Sequence, residues 1–228
     1  MNKNRNIALI GCGYWGTILA NNLLNFGIKN LYIYDFNKKN SEALKKKFKR
    51  VIVKNSYENL LKDESINIFF FATPPSKNFL LIKKAIENNK NIFLEKPGFK
   101  RINDFYKIKK IKMNNKILMF GYVYCYNDYI QYIKKIINKK DLGKILHINF
   151  QRQNLGPIRN DVQVAEDLSS HDLSIILNIF KKLPKVIYHN KYSILKKKIS
   201  DISNLHMKLN GSFIDINNTW LSPTKIRR

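Results

Sequence analysis

The stretch Ile7-Ala-Leu-Ile-Gly-Cys-Gly-Tyr-Trp-Gly16 decides how the first half of the chain folds. Four apolar residues followed by a glycine indicate a buried strand that ends in a tight turn. The residues after this turn continue as a helix pattern, which Gly27 ends. Gly11, Gly13 and Gly16 have the spacing GxGxxG, which is informative only where a strand precedes it and a helix follows. That context is met here.

In this context the glycine turn predicts the start of a dinucleotide-binding site. Gly11 permits the tight turn, Gly13 lets a pyrophosphate approach the backbone at the helix N-terminus, and Gly16 lets helix and strand pack closely. Asp35 follows the second predicted strand, 22 residues after Gly13, where a carboxylate accepts hydrogen bonds from the adenosine ribose. Since a carboxylate there repels a 2′-phosphate, the sequence favours NAD over NADP as the cofactor. A glycine-rich turn without a ligand is the alternative.

Strand and helix patterns alternate with short links over residues 1–121. Strands are predicted over residues 7–10, 31–34, 51–53, 66–71, 92–94 and 117–120, and helices over residues 15–26, 38–49, 57–61, 78–88 and 104–113. Apolar strands between helices predict a parallel sheet that helices cover on both faces. We therefore expect an α/β fold whose first domain, residues 1–121, is a doubly wound NAD(P)-binding domain.

The pattern changes after Gly121, and residues 122–228 predict an incomplete α+β domain with a largely antiparallel sheet. Helices are predicted over residues 129–137 and 167–180, strands over 145–153, 186–192, 205–209 and 212–220, and a polar loop over 154–166. Asn210-Gly211 is a strong hairpin turn signal. A sheet that stopped at residues 219–228 would expose an unpaired edge, so we expect a C-terminally truncated chain, either a fragment or the product of a frameshift.

The net charge of +26 first suggests a nucleic-acid-binding protein. Only seven of the 42 basic residues are arginines, however, and bidentate recognition of bases and phosphates favours arginine. The lysines are spread along the whole chain, which is typical of a solvated surface. We therefore expect no nucleic-acid partner, although a basic nucleic-acid binder remains a competing function class.

Cysteine usage and hydropathy argue against export and against a membrane span. Cys12 and Cys125 are far apart and lack the spacing of a metal site, so we expect no metal, no disulfide and a cytoplasmic location. Residues 9–12 resemble a lipoprotein cleavage site, but the apolar run before them is too short for a signal peptide. No apolar run approaches the length needed to cross a bilayer.

Four motifs in this order resemble the glucose–fructose oxidoreductase/inositol dehydrogenase (Gfo/Idh/MocA) family. They are the GxGxxG turn, Ala72-Thr-Pro-Pro75, Glu95-Lys-Pro97 and Asp167-Leu-Ser-Ser-His171, and together they cover essentially the whole chain. The resemblance implies a Rossmann domain and an NAD(P)-dependent enzyme that transfers hydride between nicotinamide and a secondary alcohol of a sugar, sugar nucleotide or cyclitol. Residues 152–172 resemble the branch that acts on nucleotide-linked sugars in polysaccharide synthesis. The full-length parent is expected to be a homo-oligomer.

The resemblance also implies catalytic roles. His171 is suited as the general base that removes the hydroxyl proton, because its unperturbed pKa lies near neutral pH. Asp167, four residues earlier on the same helix face, would position it. Lys96 would stabilise the developing alkoxide and share the proton relay. A histidine with a purely structural role in the core is the alternative for His171.

Two further sets of residues are expected to contact ligands. The cofactor-binding set is Gly11, Gly13, Tyr14, Trp15, Gly16, Asp35, Thr73, Pro74, Glu95 and Lys96. The substrate-binding set is Lys96, Asn127, Arg152, Asn154, Arg159, Asp167 and His171. The Lys96–Pro97 peptide is expected to be cis, because the family uses a bend here to aim the lysine at the nicotinamide.

The sequence departs from the family pattern near both parts of the expected site. Ser169 and Ser170 precede the histidine, Ser174 replaces a later carboxylate, and Asn78 replaces a histidine after the Thr-Pro-Pro segment. Asp172 is a candidate to compensate for the missing carboxylate. A truncated, catalytically inactive dinucleotide-binding protein is therefore the second function class.

Overall fold

The computed structural model describes residues 5–156, 158 and 162–228. The chain divides into two compact units, Met1–Gly121 and Tyr122–Arg228. None of the helices in these described ranges is long and apolar enough to cross a membrane.

The first unit alternates strands and helices as predicted. Its elements are β1 (Asn6–Ile10), α1 (Tyr14–Asn25), β2 (Asn30–Tyr34), α2 (Lys38–Lys47), β3 (Ile52–Val53), α3 (Tyr57–Lys62), β4 (Ile66–Phe71), α4 (Pro75–Glu87), β5 (Asn91–Leu94), α5 (Ile102–Lys109) and β6 (Leu118–Phe120). The six strands form one parallel sheet in the order β3-β2-β1-β4-β5-β6. This confirms the doubly wound α/β fold. The strand order reverses between β1 and β4, and such sheets bind ligands at the carboxyl ends of these strands.

Apolar side chains cover both faces of this sheet. Ile7 and Leu9 of β1 belong to one buried cluster, whereas Ala8 and Ile10 belong to another. Since successive side chains of a strand point to opposite faces, helices must cover the sheet on both sides. The continuous apolar run in the sequence is therefore a consequence of burial on two faces.

The second unit is a mixed sheet with helices on one face. Its elements are a 3₁₀ turn (Val123–Tyr126), α6 (Asp128–Lys139), β7 (His147–Leu155), a π-helical turn (Ala165–Ser169), α7 (Ser170–Phe180), β8 (Lys185–Tyr192), β9 (Ile202–Leu209), β10 (Ser212–Thr219) and β11 (Leu221–Arg227). The strand order is β11-β7-β10-β9-β8. Only β7 and β10 pair in parallel within this sheet, so the expectation of a largely antiparallel sheet is confirmed. Asn210 and Gly211 join β9 to β10 with φ angles of 50° and 86°, which matches the predicted hairpin turn.

Three element predictions for this unit need correction. The helix predicted over residues 167–180 is a π-helical turn followed by α7. The strand predicted over 145–153 extends to Leu155 and so takes the first part of the predicted polar loop. The strand β11 was not predicted at all; it pairs antiparallel with β7 at one edge of the sheet.

Candidate active site

The glycine turn after β1 packs so closely that it excludes side chains at two positions. Gly11 has φ +94° and its N–H donates to the Tyr34 carbonyl at 2.8 Å. A Cβ added to Gly11 would lie 2.7 Å from the Ala72 carbonyl oxygen, and one added to Gly16 would lie 2.0 Å from the Gly11 carbonyl oxygen. Two of the roles predicted for the glycines, the tight turn at Gly11 and the close helix packing at Gly16, follow from these distances.

Gly13, the middle glycine of the motif, lies at the open N-terminus of α1. No heavy atom of the described residues lies within 4 Å of a Cβ added to Gly13, apart from its chain neighbours and the helix backbone. Gly13 is the N-cap residue and has no side chain that could cover the first helical N–H groups. Tyr14 and Trp15, both predicted to contact the cofactor, are exposed and meet edge to face. A helix N-terminus with open space in front of it has the geometry that binds a phosphate group.

Asp35, at the end of β2, is joined directly to the glycine turn. Its carboxylate accepts hydrogen bonds from the Cys12 N–H at 2.7 Å and from the Asn37 N–H at 2.8 Å, one on each oxygen. A carboxylate oxygen has two lone pairs, so this arrangement leaves acceptor capacity for ribose hydroxyl groups. Burial raises the pKa of the Cys12 thiol to about 12, and the Asp35 charge adds to that rise. Cys12 is therefore a neutral packing residue of the turn.

A buried asparagine links the segments that follow β4 and β5. Asn78 is 1% exposed; its Oδ1 accepts from the Thr73 hydroxyl at 2.5 Å, and its Nδ2 donates to the Gly98 carbonyl at 2.6 Å. The Thr73 methyl group in turn would lie 3.1 Å from a Cβ added to Gly11. Asp35 is therefore hydrogen-bonded to the glycine turn, Thr73 lies close to that turn, and Asn78 joins Thr73 to Gly98.

The segment after β5 carries the predicted catalytic lysine. The Lys96–Pro97 peptide is cis, which confirms the prediction, and Glu95, Lys96 and Pro97 are half-buried. Burial raises the pKa of the Glu95 carboxyl, while the Lys96 backbone N–H and the Lys96 charge partly offset that rise. A Cβ added to Gly121 would lie 3.2 Å from the Glu95 carboxyl group. Glycine at that position thus makes room for the glutamate at the carboxyl edge of the sheet.

The predicted Asp-x-x-x-His pair spans the junction of the π-helical turn and α7. Asp167 lies in the turn and His171 in the first turn of α7, and both side chains are half-buried. The expectation that they share one α-helical face is corrected in part, because a π-helical turn does not have the α-helical period. Such turns occur frequently at functional sites. The approach of Lys96 to these two residues stays a prediction.

Arg152 and Asp172 form a buried ion pair beside His171. The Arg152 Nε donates to the Asp172 Oδ1 at 2.6 Å, and the two side chains are 8% and 1% exposed. Burial raises the pKa of Asp172 to about 6, and the nearby Arg152 charge opposes the rise. Tyr124 contacts both the Arg152 guanidinium and the His171 ring.

The other residues predicted to bind substrate have different surroundings. Asn127 is the N-cap of α6, where its Oδ1 accepts from the Tyr129 N–H at 3.1 Å and the Ile130 N–H at 3.3 Å. Asn154 accepts a hydrogen bond from Arg227 on β11. Arg159 lies outside the described residues.

The sequence interpretation missed two residues next to Arg152. Tyr124 stands among three tyrosines within residues 122–126, and nothing in the local pattern distinguishes it from the other two. Burial lowers the pKa of Arg227, and the Arg152 charge lowers it further. The facing positions of Arg152 and Arg227 on β7 and β11 explain that interaction. The pairing of these two strands was not predicted, so no signal in the sequence indicated Arg227.

Comparison with known proteins agrees with this fold and these motifs. Residues 5–122 match the model of the Gfo/Idh/MocA family, an oxidoreductase family with an NAD-binding Rossmann fold. An uncharacterised oxidoreductase of Streptococcus pneumoniae is 26% identical over 146 residues, which make up 63% of this chain and 39% of the relative. The matched part of this chain thus spans well under half of that relative's length.

Solved structures show the same fold over almost the whole chain. GenD2 from gentamicin A biosynthesis, in complex with NAD, aligns with a TM-score of 0.87 and 14% identity over 97% of this chain and 67% of that chain. UDP-N-acetylglucosamine 3-dehydrogenase GnnA from Acidithiobacillus ferrooxidans aligns with a TM-score of 0.82 and 18% identity over 99% of this chain and 73% of that chain. Since the family model matches more than half of the sequence, this chain belongs to the Gfo/Idh/MocA family of oxidoreductases.

Proposed function

We propose that the protein is an NAD-dependent oxidoreductase that transfers hydride between the nicotinamide and a secondary alcohol of a sugar, sugar nucleotide or cyclitol. The observation that carries this proposal is that the candidate residues lie next to one another along the carboxyl edge of the first sheet. These are the ribose-binding candidate Asp35, the glycine turn, Thr73 and the segment that contains Lys96. A ligand at this edge would touch phosphate-binding, ribose-binding and catalytic candidates at the same time.

The residues present fit a nicotinamide dinucleotide. Gly13 and the N-terminus of α1 would hold the pyrophosphate, Asp35 the adenosine ribose, and Thr73, Pro74 and Glu95 the nicotinamide half. Tyr14 and Trp15 would cover the cofactor from the first turn of α1. The bound nicotinamide supplies the hydride acceptor. Asp35 favours NAD, because its charge opposes the 2′-phosphate of NADP.

The polar residues of the second unit support the proton chemistry. His171 would accept the hydroxyl proton of the substrate while the hydride leaves, and Asp167 would position His171. Lys96 would stabilise negative charge on the reacting oxygen. Asn127, Asn154 and Arg159 would contribute polar contacts to a sugar or to its nucleotide.

Turnover of the whole protein with candidate substrates tests the proposal. NAD reduction is followed with myo-inositol, free sugars and UDP-sugars, and NADH affinity is measured separately by fluorescence titration. His171→Ala is expected to lower kcat by about 10²–10⁴-fold, the usual contribution of a general base, without changing NADH affinity. His147→Ala is the matched control, because His147 is an exposed histidine on β7. Binding of NADH without turnover of any of these substrates, or full activity of His171→Ala, would contradict the proposal.

A further inference from the structure

His171 belongs to a stack of side chains from three different elements of the second unit. The ring centroids of His171 and Tyr124 are 5.0 Å apart, and the planes meet at 70°, which is edge-to-face geometry. The guanidinium carbon of Arg152 lies 4.4 Å from the centroid of the Tyr124 ring. A 3₁₀ turn, a strand and a helix therefore meet at the Tyr124 ring.

Arg152 is fixed on its other side by Asp172, the residue that directly follows His171 on α7. The Nε–Oδ1 distance is 2.6 Å, and both side chains are almost completely buried. Arg152 is therefore connected to His171 by two routes. One route runs through the Tyr124 ring, and the other runs through Asp172 and the backbone of α7.

This geometry uses the planar shape of the arginine cation. The guanidinium can lay its flat face on an aromatic ring while its Nε–H donates to a carboxylate in its own plane, whereas a lysine ammonium has no flat face to stack on the ring. Arg152 as a whole residue is 6% exposed, so little of its surface remains for a ligand. The arrangement is better suited to hold neighbouring groups than to bind a substrate.

We propose that Arg152 and Tyr124 are positioning residues that fix the His171 ring, and that Arg152 is not a substrate ligand. The consequence for catalysis rests on the proposed role of His171 as the base. A displacement of about 1 Å in a reacting group can cost roughly 10²-fold in rate, so a stack that fixes the imidazole has a direct kinetic effect. Arg227 interacts electrostatically with Arg152, Asp172 and Asp167, so its charge also lies close to this stack.

Nuclear magnetic resonance of the histidine rings tests the proposal without a substrate. An aromatic ring in edge-to-face contact shifts the proton resonances of its neighbour, and His171→Ala assigns the His171 signals among the four histidines. Tyr124→Phe keeps the ring and should leave these signals in place. Tyr124→Leu removes the ring, and Arg152→Lys removes the planar cation; both should move the signals. Tyr129→Leu, at an exposed tyrosine of α6, is the matched control and should have no effect.

Kinetics then separates positioning from substrate binding. We expect Arg152→Lys to lower kcat by about 10-fold or more with little change in KM. If Arg152 instead bound the substrate and the transition state equally well, its replacement would raise KM and leave kcat unchanged. Arg152→Met leaves Asp172 buried and unpaired, so the double variant Arg152→Met/Asp172→Leu guards against simple unfolding. It should retain the fold and still show displaced His171 signals.

Two results would overturn the positioning proposal. Both can be distinguished from the results that would contradict the proposed function. His171 signals that stay in place in both Tyr124→Leu and Arg152→Lys would show that the stack does not position the ring. A pure KM effect in Arg152→Lys would make Arg152 a substrate ligand. If instead the signals move but His171→Ala keeps full activity, the positioning stands and the proposed role of His171 as the base fails.

Discussion

At the residue scale, the Asp35 carboxylate holds the glycine turn through the Cys12 N–H, and we propose that the same carboxylate binds the adenosine ribose. Asp35→Ser should lower the preference for NADH over NADPH. A unit charge about 4 Å from another contributes about 1 kcal/mol in water and about 4 kcal/mol near a protein surface. Removing the repulsion should therefore change the ratio of the two affinities by at least about fivefold, since about 1.4 kcal/mol corresponds to tenfold.

The ratio of the two dissociation constants is the informative quantity in this experiment. Damage to the turn through loss of the Cys12 hydrogen bond would weaken both cofactors alike, so the ratio is insensitive to it. Glu42→Ser on α2 removes an exposed negative charge and serves as the control. An unchanged ratio in Asp35→Ser would contradict the assignment of Asp35 to the ribose.

The residues of the site differ in how well a sequence can predict them. Gly11, Gly13 and Asp35 are predictable because each is required by local backbone geometry or by its position at a strand end. The contacts of Tyr124 and Arg152 are not, because they join segments that are distant in the chain and follow no fixed spacing. In the sequence Asn78 is only a departure from the family pattern, because its hydrogen bonds to Thr73 and Gly98 depend on tertiary packing.

Secondary-structure elements, like single residues, are predictable where local sequence determines them and not where tertiary contacts do. Apolar runs and turn residues predicted the strands and helices of the first sheet, and Asn210-Gly211 predicted the hairpin between β9 and β10. The π-helical turn Ala165–Ser169 was not predicted. A π-helix differs from an α-helix in which backbone carbonyl each N–H binds, and the side-chain pattern of five residues does not indicate this. The strand β11 was also not predicted, since Ser222-Pro-Thr224 interrupts its pattern.

The helix α6 offers a test that separates a structural role from substrate binding. Asn127 caps its N-terminus through two backbone N–H groups. Asn127→Ala should lower the free energy of unfolding by about 0.5–2 kcal/mol, the usual value of a lost N-cap, as measured by urea denaturation. Asn127→Asp should keep that stability, because aspartate is an equally good cap.

A second asparagine of the same helix provides the control for this prediction. Asn138→Ala, at an exposed position near the end of α6, should change stability by no more than about 0.5 kcal/mol. If Asn127 also binds substrate through its amide, Asn127→Asp will raise KM although the helix is intact. Equal stability of Asn127→Ala and Asn138→Ala would exclude the capping role.

At the scale of the whole molecule, the net charge of +26 on 228 residues is the dominant electrostatic feature. Like charges held in a compact shape repel one another more than in an extended chain, so they destabilise the folded state. Dissolved salt screens the charges and so weakens this repulsion. The Debye length shortens from about 30 Å at 0.01 M salt to about 10 Å at 0.1 M. We therefore expect the Tm to rise as NaCl is raised over this range.

A single substitution makes the charge argument specific. Lys135 is exposed on α6, and Lys135→Glu lowers the net charge by two while placing a glutamate four residues before Lys139, the favourable order for a helical ion pair. This variant should have a higher Tm than the natural chain at low salt, and the difference should shrink as NaCl is added. Na₂SO₄ at equal ionic strength is the control for anion binding at the glycine turn. Screening of the net charge should raise the Tm equally in both salts, whereas specific binding of sulfate would raise it beyond the effect of NaCl. A Tm that falls with NaCl, or a Lys135→Glu variant that is less stable at low salt, would show that local contacts rather than net charge govern the stability of this fold.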